Sequence, residues 1–149
     1  MAEIWFYHLE RTTIDQALPA LLEKTLERGW KALVRTVSDD RVTALDSHLW
    51  TWRDESFLPH GADNAAHPER QPVLLSAGQG APNGADVVFL IDGAEAPDWE
   101  HFARCVLLFD GNDEEALTDA RKRWTEAKAA GAAVSYWRQT ERGGWEKQA

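Results

Sequence analysis

The sequence predicts an α/β fold with a mostly parallel central sheet, and three observations carry that prediction. Segments of strand composition alternate with segments of helical period, which is the order that builds βαβ units. Residues 87–91 (Val-Val-Phe-Leu-Ile) and 105–109 (Cys-Val-Leu-Leu-Phe) are unbroken apolar runs, the pattern of strands covered on both faces. The chain has 149 residues, 44% of them apolar, enough for one real core. With no linker and no internal repeat, residues 1–149 read as a single domain.

Taken in order, residues 3–9 are dense in aromatic and β-branched side chains and read as the first strand. Thr13 and Gln16 have capping-box spacing, and Leu18, Leu21, Leu22 and Thr25 follow at helical intervals until Gly29. Pro19 is expected to delay or bend that helix. Residues 31–37 form a second strand. Ser38 or Asp39 caps a second helix whose apolar face is Val42, Leu45, Leu49 and Trp50. Residues 49–60 then hold Trp50, Trp52 and Phe57 without a glycine and end in Leu58-Pro59-His60, a stiff segment suited to presenting aromatic rings. His60 is read as orienting this loop by a hydrogen bond.

A polar loop is expected at 61–70, a third strand at 72–77 and a Gly/Pro turn at 78–84. After the two apolar runs, Asn112 is expected to cap the last helix, with Asp113, Glu114 and Glu115 at its positive end. Leu117, Ala120 and Trp124 form its packing stripe and Gly131 ends it. Residues 134–137 are a final strand, and Trp145 anchors the tail.

Composition narrows function. The formal net charge of −9 argues against a general DNA binder, because phosphate neutralisation needs clustered Lys and Arg. No apolar run spans a bilayer, and residues 1–4 lack signal-peptide features. The lone Cys105 fits a reducing cytosol and an inert core thiol. Gly78-Gln79-Gly80 is followed by Ala-Pro and no Gly-Lys-Ser/Thr occurs, so no nucleotide-binding motif is present. The five histidines show no ligand spacing, the Asp110 segment lacks calcium-loop spacing, and no catalytic constellation or cofactor site is found.

One patch stands out. Arg121, Trp124 and Lys128 share a helix face, flanked by Lys122 and Arg123, the densest cationic cluster of an acidic chain. With Trp50 and Phe57 as aromatic walls, it suits a short acidic peptide with an apolar end group. A solvated amphipathic helix with Trp124 in the core explains the same pattern.

The blocks Trp5-Phe6-Tyr7-His8-Leu9, Leu49-Trp50, Ser56-Phe57-Leu58-Pro59-His60, Arg121 to Trp124 and Ala130-Gly131 resemble the chi subunit family of bacterial DNA polymerase III holoenzyme. The resemblance implies a Rossmann-like, three-layer fold without a nucleotide site and a non-catalytic, cytoplasmic replication factor. It implies binding to the acidic, phenylalanine-ended C-terminal tail of single-stranded DNA-binding protein. It further implies linkage of that protein to the clamp-loader complex, commonly through a psi subunit, with DNA met only indirectly. Carried onto this chain, it gives Trp50 and Phe57 near the tail, Arg121 for the terminal carboxylate, Trp124 as an aromatic wall, Lys128 as a further cation and Gly131 as room at the helix end. Leu117 stands where members carry a basic residue; Lys122 or Arg123 would compensate. The rivals are a nucleotide hydrolase using Asp110 and direct single-strand binding through stacked tryptophans.

Overall fold

The computed structural model describes residues 2–51, 59–62, 67–78, 80–142 and 144–149. Among them are three α-helices and an eight-stranded sheet in the order β3-β4-β2-β5-β6-β1-β7-β8. The strands are β1 (Glu3–Leu9), β2 (Ala32–Arg35), β3 (Gly61–Ala62), β4 (Val73–Ser76), β5 (Val87–Leu90), β6 (Arg104–Asp110), β7 (Ala133–Gln139) and β8 (Trp145–Lys147). Every pairing is parallel except β7 with β8. The polar loop expected after His60 thus contributes a two-residue edge strand, and the C-terminal tail adds an antiparallel one.

Side-chain alternation divides the core in two. Val34, Leu75, Phe89, Val106 and Leu108 share one cluster with Leu18 and Leu22 of α1 (Ile14–Glu27) and Leu45 and Leu49 of α2 (Asp39–Thr51). Leu33, Leu74, Val88, Cys105 and Leu107 share the other with Ala120 and Ala127 of α3 (Glu114–Ala129). Because neighbours in a strand point to opposite faces, α1 and α2 cover one face and α3 the other. The continuous apolar runs are required for this: both sides of β5 and β6 are dry.

Local chemistry fixes the helices. Thr13 and Gln16 form the expected reciprocal capping box. Pro19 neither delays nor ends α1, which begins at Ile14. Proline has no N–H for the carbonyl four residues back, here Asp15, and His48 of α2 bonds that carbonyl through Nε2 at 2.7 Å. The helix α3 is capped by Asp113 rather than Asn112, since the Asp113 carboxylate accepts from the Glu115 and Ala116 amides. Asn112 instead donates its own amide to Asp110. Arg35, 1% exposed, leaves β2 to grip Asp98 at 2.7 and 2.8 Å and the Gly80 carbonyl at 3.0 Å. It ties down the loops that follow β4 and β5.

Adjacent strands β1 and β6 send their chains to opposite faces, β1 to α1 and β6 to α3. That is the switch point where open α/β sheets usually hold ligands. Here the place is taken by the chain itself. The amides of Glu10, Arg11 and Thr12 all donate to Gln139 Oε1, at 3.1, 2.7 and 3.1 Å. Such a run of amides is an anion cradle, and buried Gln139 fills it.

Candidate functional site

The two flanks of α3 carry the same residue types and use them differently. Ala120 and Ala127 are buried against the sheet. On one flank, Arg123 donates to the Ala94 and Gly93 carbonyls at 2.6 and 2.7 Å and pairs with Asp119 at 2.9 Å. Arg123 is therefore structural: it pins the turn after β5. Lys122 meets Glu126 at 4.0 Å on open surface. Three of the five Arg123 N–H donors are thus committed to the fold, whereas Lys122 makes only a long contact at the surface.

The other flank holds Arg121, Trp124 and Lys128, brought together as their spacing requires. Lys128 Nζ lies 5.7 Å from the Trp124 ring centre, within the range of a cation–π contact. Arg121 and Lys128 are exposed, and among the described residues no carboxylate lies within ion-pair distance of either. Trp124 is half-buried, so it is partly a core ring and partly a surface. Gly131 has φ +82°, and a Cβ there would meet nothing within 4 Å. Its need is conformational: a left-handed residue ends α3 without a side-chain penalty.

Behind Trp124 stands a layer that the sequence reading missed. Tyr136 of β7 packs edge-on to Trp124 at 5.7 Å, and Phe6 of β1 packs edge-on to it at 5.3 Å. The Tyr136 hydroxyl lies 2.6 Å from Nδ1 of His8, which is buried. Glu10 sits 3.5 Å from His8 Nε2 and binds Arg138 at 2.8 Å. The carboxylate favours a proton on Nε2, leaving Nδ1 to accept from Tyr136. Gly111 is obligatory beside this pair, because a Cβ would lie 1.9 Å from His8 Nε2.

Burial lowers the His8 pKa, with Arg138 and Arg121 acting in the same direction against Glu10 and Asp110. Burial likewise raises that of Tyr136, against the pull of Arg121 and Arg138. Arg121 thus lies within electrostatic reach of both. The available signal in sequence was only that 3–9 and 134–137 are strands; the β1–β7 register that joins His8 to Tyr136 spans 128 residues and leaves no local mark.

Trp50 does not join this flank. It lies at the end of α2, 54% exposed, with its ring 4.7 Å from that of His60. His60 is buried and reaches Asp46 of α2, its Nε2 3.0 Å from the carboxylate. The sheet stands between Trp50 and Arg121, so the single hollow expected to combine them is not formed. The apolar face read for α2 loses Trp50 for the same reason: Val42, Leu45 and Leu49 point inward and Trp50 outward. Phe57, like Trp52 and the rest of 52–58, lies outside the described residues. Among the described residues no group of three metal-ligating side chains occurs, and no helix is long and apolar enough to cross a membrane.

A family model described as the DNA polymerase III chi subunit, HolC, matches residues 1–135. The DNA polymerase III subunit chi of Haemophilus influenzae is 23% identical over 124 residues, 83% of this chain and 85% of that protein. That of Pseudomonas aeruginosa is 29% identical over 89 residues, 59% of this chain and 61% of that protein. A Rickettsia prowazekii protein named as a probable DNA polymerase III subunit chi is 28% identical over 91 residues. The match covers 61% of this chain and about half of that relative, 55% of its length.

Proposed function

The chain belongs to the DNA polymerase III chi subunit family, and from that premise we propose that it is a single-domain, non-catalytic, cytoplasmic adaptor of DNA replication. Its fold is of the Rossmann-like three-layer type, with helices on both faces of the sheet. The α3 flank of Arg121, Trp124 and Lys128 binds the acidic C-terminal tail of single-stranded DNA-binding protein. The observation that carries this reading is the pair of exposed cations beside a half-buried indole, in a chain of net charge −9. Arg121 takes the terminal carboxylate, Trp124 packs on the terminal phenylalanine, and Lys128 meets acids further up the tail.

The magnitudes suffice. Burying a phenylalanine side chain contributes about 1.5–3 kcal/mol, and a charged hydrogen bond from Arg to carboxylate about 1.5–3 kcal/mol. Ordering the tail costs part of this, and a micromolar Kd, about −8 kcal/mol, is the expected scale. Binding weakens with salt because unlike charges drive it.

An adaptor needs a second surface that does not compete with the first. Trp50 supplies one: an exposed indole across the sheet from α3. It is assigned here to the clamp-loader link, through a psi subunit where one exists. A nucleotide-handling activity is disfavoured because Gln139 occupies the amide cradle a phosphate would need.

The test is calorimetric titration with a short acidic peptide ending in Phe. Arg121→Ala should weaken it at least tenfold, about 1.4 kcal/mol, with an unchanged circular dichroism spectrum, and a peptide lacking the Phe should bind more weakly still. Trp50→Ala should leave peptide affinity alone. Wild-type affinity in Arg121→Ala sinks the tail site.

A further inference from the structure

A hollow of about 410 Å³ lies on the α1 face of the sheet, against the N-terminal half of β1 and below the last turns of α1. Its size falls within the roughly 300–1,000 Å³ of ordinary ligand pockets. Val87, Phe89 and Val106 form its floor, and the only hydroxyl on the wall that α1 supplies, that of Thr25, is spent on the Leu21 carbonyl at 2.9 Å.

Its mouth is cationic. Lys24, Arg28 and Arg104 line it with a single carboxylate, Glu27. Arg28 lies 4.2 Å from the Trp30 ring centre, and Arg104 lies 3.7 Å from that of Trp5 and 5.2 Å from Trp30. A guanidinium stacked on an indole is held in orientation and keeps its N–H edge free to bind. Arg104 spends Nε on Glu3 at 3.3 Å. Its two terminal nitrogens, the Arg28 guanidinium donors and the Lys24 ammonium have no hydrogen-bond partner among the described residues.

We propose that this hollow is a binding site for the C-terminus of a partner polypeptide ending in an apolar residue. The last side chain packs on the half-buried Trp5 and Trp30 rings over that floor, and the α-carboxylate meets the Arg28 and Arg104 edges at the mouth. A nucleobase fits less well, because besides the cations at the mouth the lining offers its several hydrogen-bonding edges only the Trp5 indole N–H and the Tyr7 hydroxyl. The site is separate from the α3 flank, which lies across the sheet, and it stands or falls independently of the tail reading.

The probe is N-acetylphenylalanine, followed by the indole ¹⁵N signals of Trp5 and Trp30, assigned through single Trp→Phe variants. Both signals should shift with the acid, and N-acetylphenylalanine amide should bind at least tenfold more weakly. Lys24→Glu/Arg28→Glu should abolish the shifts; both side chains are exposed, so the fold is not at stake. Arg121→Ala should leave them unchanged. Silent Trp5 and Trp30 signals at about 10 mM acid, ten times a Kd of ~1 mM, overturn the proposal. So do shifts that Arg121→Ala removes, equal binding of acid and amide, decanoate binding tenfold more tightly than the peptide acid, or shifts produced only by a thymidine oligonucleotide.

Discussion

At the carboxyl ends of the parallel strands this chain answers its own polar groups, whereas along the outer flank of α3 it leaves them open. At the first place Gln139 receives three amides, Asp98 receives Arg35, and Asp15 and Asp92 share Arg41. At the second, Arg121 and Lys128 face solvent beside Trp124. The first is where a sheet of this topology usually binds ligand and the second is ordinary helix surface. On the proposed reading, unspent donors are a better guide to function here than fold topology.

The sharpest way to break that comparison is to empty the cradle. Gln139→Ala leaves three amides and the Thr12 hydroxyl without their buried partner. Stability to urea should fall by about 2–4 kcal/mol, the cost of several orphaned donors partly relieved by water. Inorganic phosphate should restore part of the loss, and the tail peptide should bind the folded protein as before. A variant as stable as wild type would mean that the amides find other partners, and the contrast between the two regions would fail.

Next in size is the difference between the two flanks of α3. Arg123→Ala should cost about 1–3 kcal/mol of stability, since three polar contacts are lost, one of them an ion pair. Peptide affinity should not change. Arg121→Ala should do the reverse. Equal effects of the two variants on both readouts would dissolve the distinction between a structural and a recognising arginine.

These two arginines also mark how far sequence alone reaches. The alternation of strands and helices, the capping box at Thr13 and the shared face of Arg121, Trp124 and Lys128 are local patterns, set by periods of two and 3.6 residues, and each is legible. What Arg123 does is not, because its partners are carbonyls some thirty residues away. Trp50 was misplaced for a related reason. Helical period alone set it beside Leu49, but one residue is a turn of 100° and carried it out of the apolar face. Gln139 and Tyr136 were invisible because strand order, not spacing, brings β7 beside β1.

The smallest effect tests where the two regions meet, at His8. In an unfolded chain histidine titrates near 6.5; in the fold, burial holds His8 below that value. Above the ordinary value both states are neutral and pH has no effect through this group. As pH falls below it the unfolded chain takes up the proton first, so stability is lost progressively until the depressed folded value is passed. The groups that bear on the ring are Glu10 and Asp110, which favour its charge, and Arg138 and Arg121, which oppose it, with Tyr136 bonded to Nδ1. Wild type should therefore lose more thermal stability between pH 7 and about pH 5.5 than His8→Gln does. A carboxylate seated on Arg121 offsets that arginine's charge and weakens one of the forces holding the His8 pKa down. The tail peptide should accordingly shrink the difference between wild type and His8→Gln. A difference that persists at saturating peptide would put the bound carboxylate away from Arg121 and Tyr136, on some other part of the α3 flank.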